Sequence, residues 1–263
     1  MDGQFMRKCG DYMTNYEFCW SFAPAGQCRW ERKTTIDGLE TEFVGDQIII
    51  RADSTRGSED ELHGCAEAIA MSLAGAMSFR KAQKFALVFN HVKRTSTASG
   101  IEDIALHLAD QLPGMHDDVN WTKVSHVKLD AVLLEDSRDA DLDEVIALAD
   151  KARRSASMQR MLNWQTVFYA DPEKKLAPLF DIVELVEAEY GGESGAAQAL
   201  GISRKALEKV KRVANDGTIR TARHPGKSSG TLRDITAEEL AHCVRTAEAI
   251  IRSYAALTFP ITQ

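Results

Sequence analysis

A chain of 263 residues with 44% apolar and 27% charged side chains has the make-up of a globular protein that buries roughly three quarters of its unfolded surface. Its 32 basic and 39 acidic residues leave a net charge of −7, so an anionic partner is confined to a local face rather than drawn to the whole molecule. No apolar run approaches the ~20 residues of a membrane span; the longest, Cys65 to Met77, is 13 residues and contains Glu67 and Ser72.

The first 13 residues, MDGQFMRKCGDYM, lack the apolar core of a signal peptide, and a cytoplasmic location with no membrane partner is expected. The five cysteines, Cys9, Cys19, Cys28, Cys65 and Cys243, are odd in number and form no CxxC pair, which fits thiols in a reduced compartment. Tyr16, Phe18, Trp20 and Phe22 alternate with Glu17, Cys19 and Ser21, the period of a strand with one aromatic face. CRWERKTTI and LETEFVGDQIIIRAD follow, with Gly45-Asp46 at a hairpin turn, so the N-terminal stretch reads as a small antiparallel sheet.

Ser58 and Glu61 have the spacing of a capping box and open a helix expected to reach about Arg94, with a break near Gly75. Phe79, Ala82, Ala86, Phe89 and Val92 keep helical spacing within it. Ser99 with Glu102 predicts a second capped helix through Ala109. WTKVSHVKLDAVLLED returns to strand alternation, through Val127, Leu129, Ala131 and Leu133, as a further strand of the same sheet. From Asp141, with Glu144 as its cap partner, the pattern turns helical past Met161. A helix carrying Leu176, Leu179, Phe180, Val183, Val186 and Tyr190 follows and ends at Gly191-Gly192. A Gly/Pro/Ser-rich loop, NDGTIRTARHPGKSSG, precedes a last helix capped by Thr236 and Glu239 and carrying Leu240, Val244, Ala247, Ile251 and Tyr254. The fold class is α+β: an N-terminal domain of sheet and helices over 1–138, then an all-α domain over 139–263.

Charge is concentrated late in the chain. Between Gly201 and Arg233 stand nine basic residues and two acidic ones, Glu208 and Asp216, so this segment carries +7 and the remainder −14. It begins inside AAQALGISRKALEKVKR, within a segment 194–213 that has the parts of a helix–turn–helix. Ala197 is the small residue at the crossing, Gly201 the turn, Leu200 and Ile202 its apolar flanks, Leu207 and Val210 the inner face, and Ser203 the N-cap. Ser203, Arg204, Lys205, Lys209 and Arg212 then point outward as candidate nucleic-acid contacts, with Glu208 among them.

The Ala-Ala-x-x-Leu-Gly-Ile-x-Arg core in this run resembles the Fis-type DNA-binding helix–turn–helix. A longer resemblance runs through YGGESGAAQALGIS, VANDGTIRTARHPGK and LRDITAEELAHCVRTAEAIIRSY. It is similar to the C-terminal half of a group of bacterial proteins, some of them accessory proteins of methylamine-utilisation gene clusters, whose helical half is HEPN-like. That resemblance implies a helical domain that binds nucleotide or RNA. Active HEPN members cleave RNA without a metal through an arginine and a histidine with four to six residues between them. Arg220, Arg223 and His224 are the candidates here, and their closer spacing departs from that pattern. The chemistry itself is sound: a histidine moves the 2′-hydroxyl proton and an arginine neutralises the phosphate.

No cofactor motif is present, neither a Walker loop, nor GxGxxG after a strand, nor GxSxG. His107, Asp110, His116, Asp117 and Asp118 match no metal-ligand spacing, so no metal is expected. His63 and Cys65 are too few for a site, and Trp20, Trp30, Trp121 and Trp164 read as core anchors. The leading reading is a non-catalytic nucleic-acid- or nucleotide-binding module acting through the 201–233 face. The alternatives are a HEPN-like ribonuclease and an assembly protein docking on an acidic partner, with the apolar face of the last helix as a homodimer seam.

Overall fold

The computed structural model describes residues 13–28, 30–97, 101–106, 131–171, 173–227 and 231–258, with backbone alone at 106 and 131–140. It is an α+β protein, with one six-stranded antiparallel sheet in the N-terminal half and seven helices among the described residues, most of them in the C-terminal half. The strands are β1 (Thr14–Ala23), β2 (Trp30–Ile36), β3 (Leu39–Gly45), β4 (Gln47–Asp53), β5 (Ala86–Ser96) and β6 (Glu102–Leu106), in the order β2-β3-β4-β1-β5-β6. The helices are α1 (Glu59–Lys81), α2 (Ala131–Arg154), α3 (Ala156–Ala170), α4 (Ala177–Glu189), α5 (Glu193–Leu200), α6 (Arg204–Ala214) and α7 (Ala237–Thr258). None of them is long and apolar enough to cross a membrane.

The chain divides into two compact units, each drawn from two stretches. The first is 1–71 with 86–142, the second 72–85 with 143–263. In the first, Phe18, Trp20 and Phe22 are buried as the alternation predicts, and Ile48 and Ile50 of β4 join them in the core. The His63 ring lies parallel to Trp20 at 6.0 Å and 4.9 Å from Phe89, so it serves packing. Two hairpins are set by backbone chemistry. Asp37 and Gly38 both take positive φ, as a two-residue turn between right-twisted strands requires, and Gly45 turns β3 into β4. Asp46 then ties the β1–β2 loop by accepting from the Gly26 and Cys28 N–H groups. Cys19 and Cys28 are buried free thiols.

Three expectations about this half are overturned. The α1 helix passes Gly75 unbroken but ends at Lys81, where Ala82 turns left-handed and Gln83 N–H donates to Ser78 O. Ala86, Phe89 and Val92 belong instead to β5, which pairs with β1 along its length. The register slips at Cys19/Trp20, where Asn90 is the extra residue and donates to Ser21 Oγ at 2.7 Å. Residues 102–106 form a strand against β5, not a helix, because ladder bonds and the Lys93–Glu102 pair at 2.7 Å outweigh a local cap. Ala131 to Leu134 lie at the start of α2, not in a strand, and the helix that the Asp141 cap was to open is already ten residues old there. Residues 107–130, with Trp121 and the cluster His107, Asp110, His116, Asp117 and Asp118, lie outside the described residues.

In the second unit, α2 does not run past Met161. Ser155 is extended, caps α3 by accepting from Met158 N–H, and separates the two helices. Met158, Met161 and Phe168 of α3, Leu179, Val183 and Val186 of α4, and Ala247, Ile250 and Ile251 of α7 form the core. The apolar face of α7 packs on α3, α4, α5 and α6, with Ala247, Ile251 and Tyr254 buried and Leu240 and Val244 half-buried.

The turn between α4 and α5 is the tightest point. Gly191 and Gly192 take positive φ, and the chain re-enters a helix so sharply that a Cβ on Gly195 would stand 1.9 Å from the Tyr190 carbonyl oxygen. Gly195→Ala is expected to destabilise the protein by about 2–3 kcal/mol. The gain of about 1 kcal/mol in helix propensity is smaller than the backbone displacement it forces. A urea melt followed by circular dichroism checks this, and an unchanged midpoint would contradict the close approach.

Candidate functional site

The 194–213 segment folds as its parts suggest. Gly201 closes α5 in the left-handed conformation (φ 65°, ψ 26°), and Ile202 N–H donates to Ala197 O at 3.1 Å. Ser203 starts α6, its Oγ accepting from Ala206 N–H at 3.1 Å, so the Ser203 hydroxyl is occupied by the cap. Leu207 and Val210 are buried as expected, together with Val213 and Ala214. The fully buried small residue at the crossing is Ala196, one position before the expected Ala197.

On the opposite side of α6, Lys205, Glu208 and Arg212 are exposed at i, i+3 and i+7, one stripe down a helix about 16 Å long. Arg204 and Lys211 flank the stripe toward α5, and Lys209 flanks it toward α7.

Five of the nine basic side chains of 201–233 carry carboxylate partners, and these separate into two kinds. Lys211 Nζ lies 2.8 Å from Glu187 and 2.7 Å from Glu193, whose side chains are only 16% and 15% exposed. Burial alone would lower the Lys211 pKa, but the two carboxylates outweigh it and hold the ammonium charged. Arg233 reaches Asp216 at 3.2 Å and Glu239 at 2.9 Å, while its backbone pairs with Thr218 and Arg220. These two cations build the fold. Lys209 meets Glu238 at 3.7 Å and Arg220 meets Asp234 at 3.2 Å, each partner 86% exposed. Such solvent-screened pairs contribute about 0–1 kcal/mol and exchange readily. Arg204 contacts Glu193 and lies 3.6 Å from Glu208. Lys205, Arg212 and Lys227 have no ion pair among the described residues.

Two of the three candidates for RNA cleavage, Arg220 and Arg223, contact other side chains. Arg223 lies with its guanidinium 4.0 Å from the Phe180 ring centroid, and burial raises the nearby Asp181 pKa while Arg223 offsets part of that rise. Arg220 is turned to Asp234, and His224 is an exposed residue of the 221–227 turn.

Sequence reasoning missed the acids that shape this face. Glu187 and Glu193 lie on earlier helices, and no periodic rule ties them to Arg204 or Lys211. It also missed a cleft of about 480 Å³ on the first unit's sheet, lined by Glu17, Glu40, Arg51, Asp53, Arg56 and Lys93. Arg51 there is held by three carboxylates, Glu17 and Glu40 at 2.9 Å and Glu42 at 2.6 Å. Formal charge differs sharply between the two units. The first has 12 basic and 23 acidic residues, net −11, and the second 20 and 16, net +4.

No family model matches the chain, and comparison with curated proteins and with solved structures gives no match.

The Arg233 pin carries a pH dependence. Glu239 is pulled down to about 2 by Arg233 first and by the Thr236 backbone N–H second. A depressed carboxyl stabilises the fold above its unfolded value near 4.5, and that contribution disappears as pH falls through about 2. Thermal melts of the wild type are therefore expected to weaken across that window, and Glu239→Gln to start less stable at neutral pH and to show a flatter decline. Parallel curves for the two proteins would contradict it.

Proposed function

We propose that the second unit is a non-catalytic nucleic-acid-binding module that presents the outer stripe of α6 to a phosphate backbone, in the manner of a Fis-type helix–turn–helix. The observation that carries this reading is the stripe itself. Lys205 and Arg212 stand exposed, without carboxylate partners among the described residues, on the solvent side of a capped helix whose inner face is buried. Lys209, weakly held by Glu238, extends the stripe on one flank. The net +4 of this unit, within a chain of net −7, supplies attraction at one face only. A groove that admits a helix and a backbone that accepts Arg and Lys contacts suit duplex DNA best.

The ribonuclease alternative, a HEPN-like site of Arg220, Arg223 and His224, has less behind it, since Arg223 is engaged on Phe180 and only three residues separate Arg220 from His224. A gel-shift panel of duplex DNA, single-stranded DNA and RNA at two salt concentrations separates the readings. Binding to duplex is expected, with no cleavage products on the same gel. The double variant Lys205→Ala/Arg212→Ala is expected to flatten the log–log salt dependence by about 1.8, or ~0.9 per lost phosphate contact. An unchanged slope would remove α6 from the interface, and RNA cleavage abolished by His224→Ala would transfer the function to the loop.

A further inference from the structure

Glu193 occupies a position that an ordinary surface acid does not. It lies in the first turn of α5, only 15% exposed, and uses both carboxylate oxygens on α6: Oε1 on Arg204 Nε and Oε2 on Lys211 Nζ. Lys211 and Arg204 together hold its carboxyl below the usual range. The two cations differ in what else holds them. Lys211 has Glu187 as a second strong partner and is 27% exposed. Arg204 is 62% exposed, and beyond Glu193 its one ion-pair partner among the described residues is Glu208, at 3.6 Å and itself half-exposed.

We propose that Glu193 is a built-in phosphate surrogate that keeps Arg204 in reserve and thereby sets the affinity of the α6 face. This rests on the nucleic-acid reading of that face. A guanidinium takes a carboxylate and a phosphate with the same planar donors, so nucleic acid and Glu193 compete for one group. Release of Arg204 does not strand the acid. Glu193 keeps Lys211 at 2.7 Å, and its place in the first turn of α5 sets it against the positive end of the helix dipole. The exchange is therefore reversible and inexpensive, whereas withdrawing Lys211 would uncover two nearly buried carboxylates, Glu187 and Glu193. In the wild-type protein Glu193 wins that competition, so Lys205 and Arg212 carry the contact, and Arg204 adds one only when the charge of Glu193 is removed.

Fluorescence anisotropy of a labelled DNA duplex between about 50 and 200 mM salt tests this. Glu193→Gln is expected to bind more tightly at low salt and to steepen the salt slope by about 0.9, one contact. The increment is expected to vanish in Glu193→Gln/Arg204→Gln. Glu184→Gln removes the same charge from an exposed position on α4 and frees no cation, so its slope is expected to match the wild type. Arg204→Gln alone is expected to leave the wild-type slope unchanged, which keeps the test sharp if Glu193→Gln melts early by circular dichroism. Tight duplex binding by the wild type with no steepening in Glu193→Gln, or a slope flattened by Arg204→Gln alone, overturns the surrogate and leaves the binding face standing. Duplex binding that appears only in Glu193→Gln supports it. Absence of binding in both proteins removes the surrogate and the nucleic-acid reading together.

Discussion

The missing side chain at Gly195 governs the arrangement of the helical unit. Because nothing projects from its α-carbon, the first turn of α5 lies against the Tyr190 carbonyl at the end of α4. That contact fixes where α5 begins, and with it where Glu193 stands. From there one carboxylate reaches both ends of the neighbouring helix, Arg204 at its start and Lys211 one residue short of Arg212 near its close. A displaced α5 would leave α6 packed on α4 and α7 through its buried face, with Arg204 no longer held by Glu193. A hydrogen atom in place of a methyl thus sets the electrostatics of a surface two elements away.

The positive segment late in the chain is less uniform than its composition. Lys211 and Arg233 act as structural pins, each between two acids and each with at least one mostly buried partner. Arg223 is a lid on an aromatic ring. What remains for a partner is a narrow line on α6 with weakly engaged neighbours, and Lys227 on the turn that follows. Counting charges along a segment overstates the field it offers, because a cation matched by a desolvated carboxylate adds nothing at a distance. The useful count is of cations whose partners are absent or fully solvated.

Local signals were readable and long-range ones were not. The caps at Ser58/Glu61, Ser203 and Thr236/Glu239 form as their spacing implies, because each needs only three or four adjacent residues. The glycine stop after α4 and the turn at Gly201 are legible for the same reason. Asp37-Gly38 between two apolar runs was a hairpin signal available in the sequence as well. By contrast, Ala86–Ser96 carries apolar residues at spacings that suit a helix, and only pairing with β1, some 70 residues earlier, makes it a strand. The same holds for Glu102–Leu106 against β5. At the candidate site the cations were evident, while the acids that answer them stand on other helices and come within reach only after folding.

The interleaving of the two units bears on how this protein can be dissected. Residues 72–85 belong to the helical unit although they precede the last strands of the sheet unit, and they bring Leu73, Ala76, Met77 and Phe79, all buried. No single scission of the polypeptide therefore liberates an intact helical fragment. A piece starting near residue 143 lacks part of its own interior, and a piece starting near 72 carries only β5 and β6 of the six strands, without β1. Synthesis from the ribosome meets the same condition: residues 72–85 emerge well before the rest of their own unit, which resumes only at 143, so the second half of α1 waits for its packing partners.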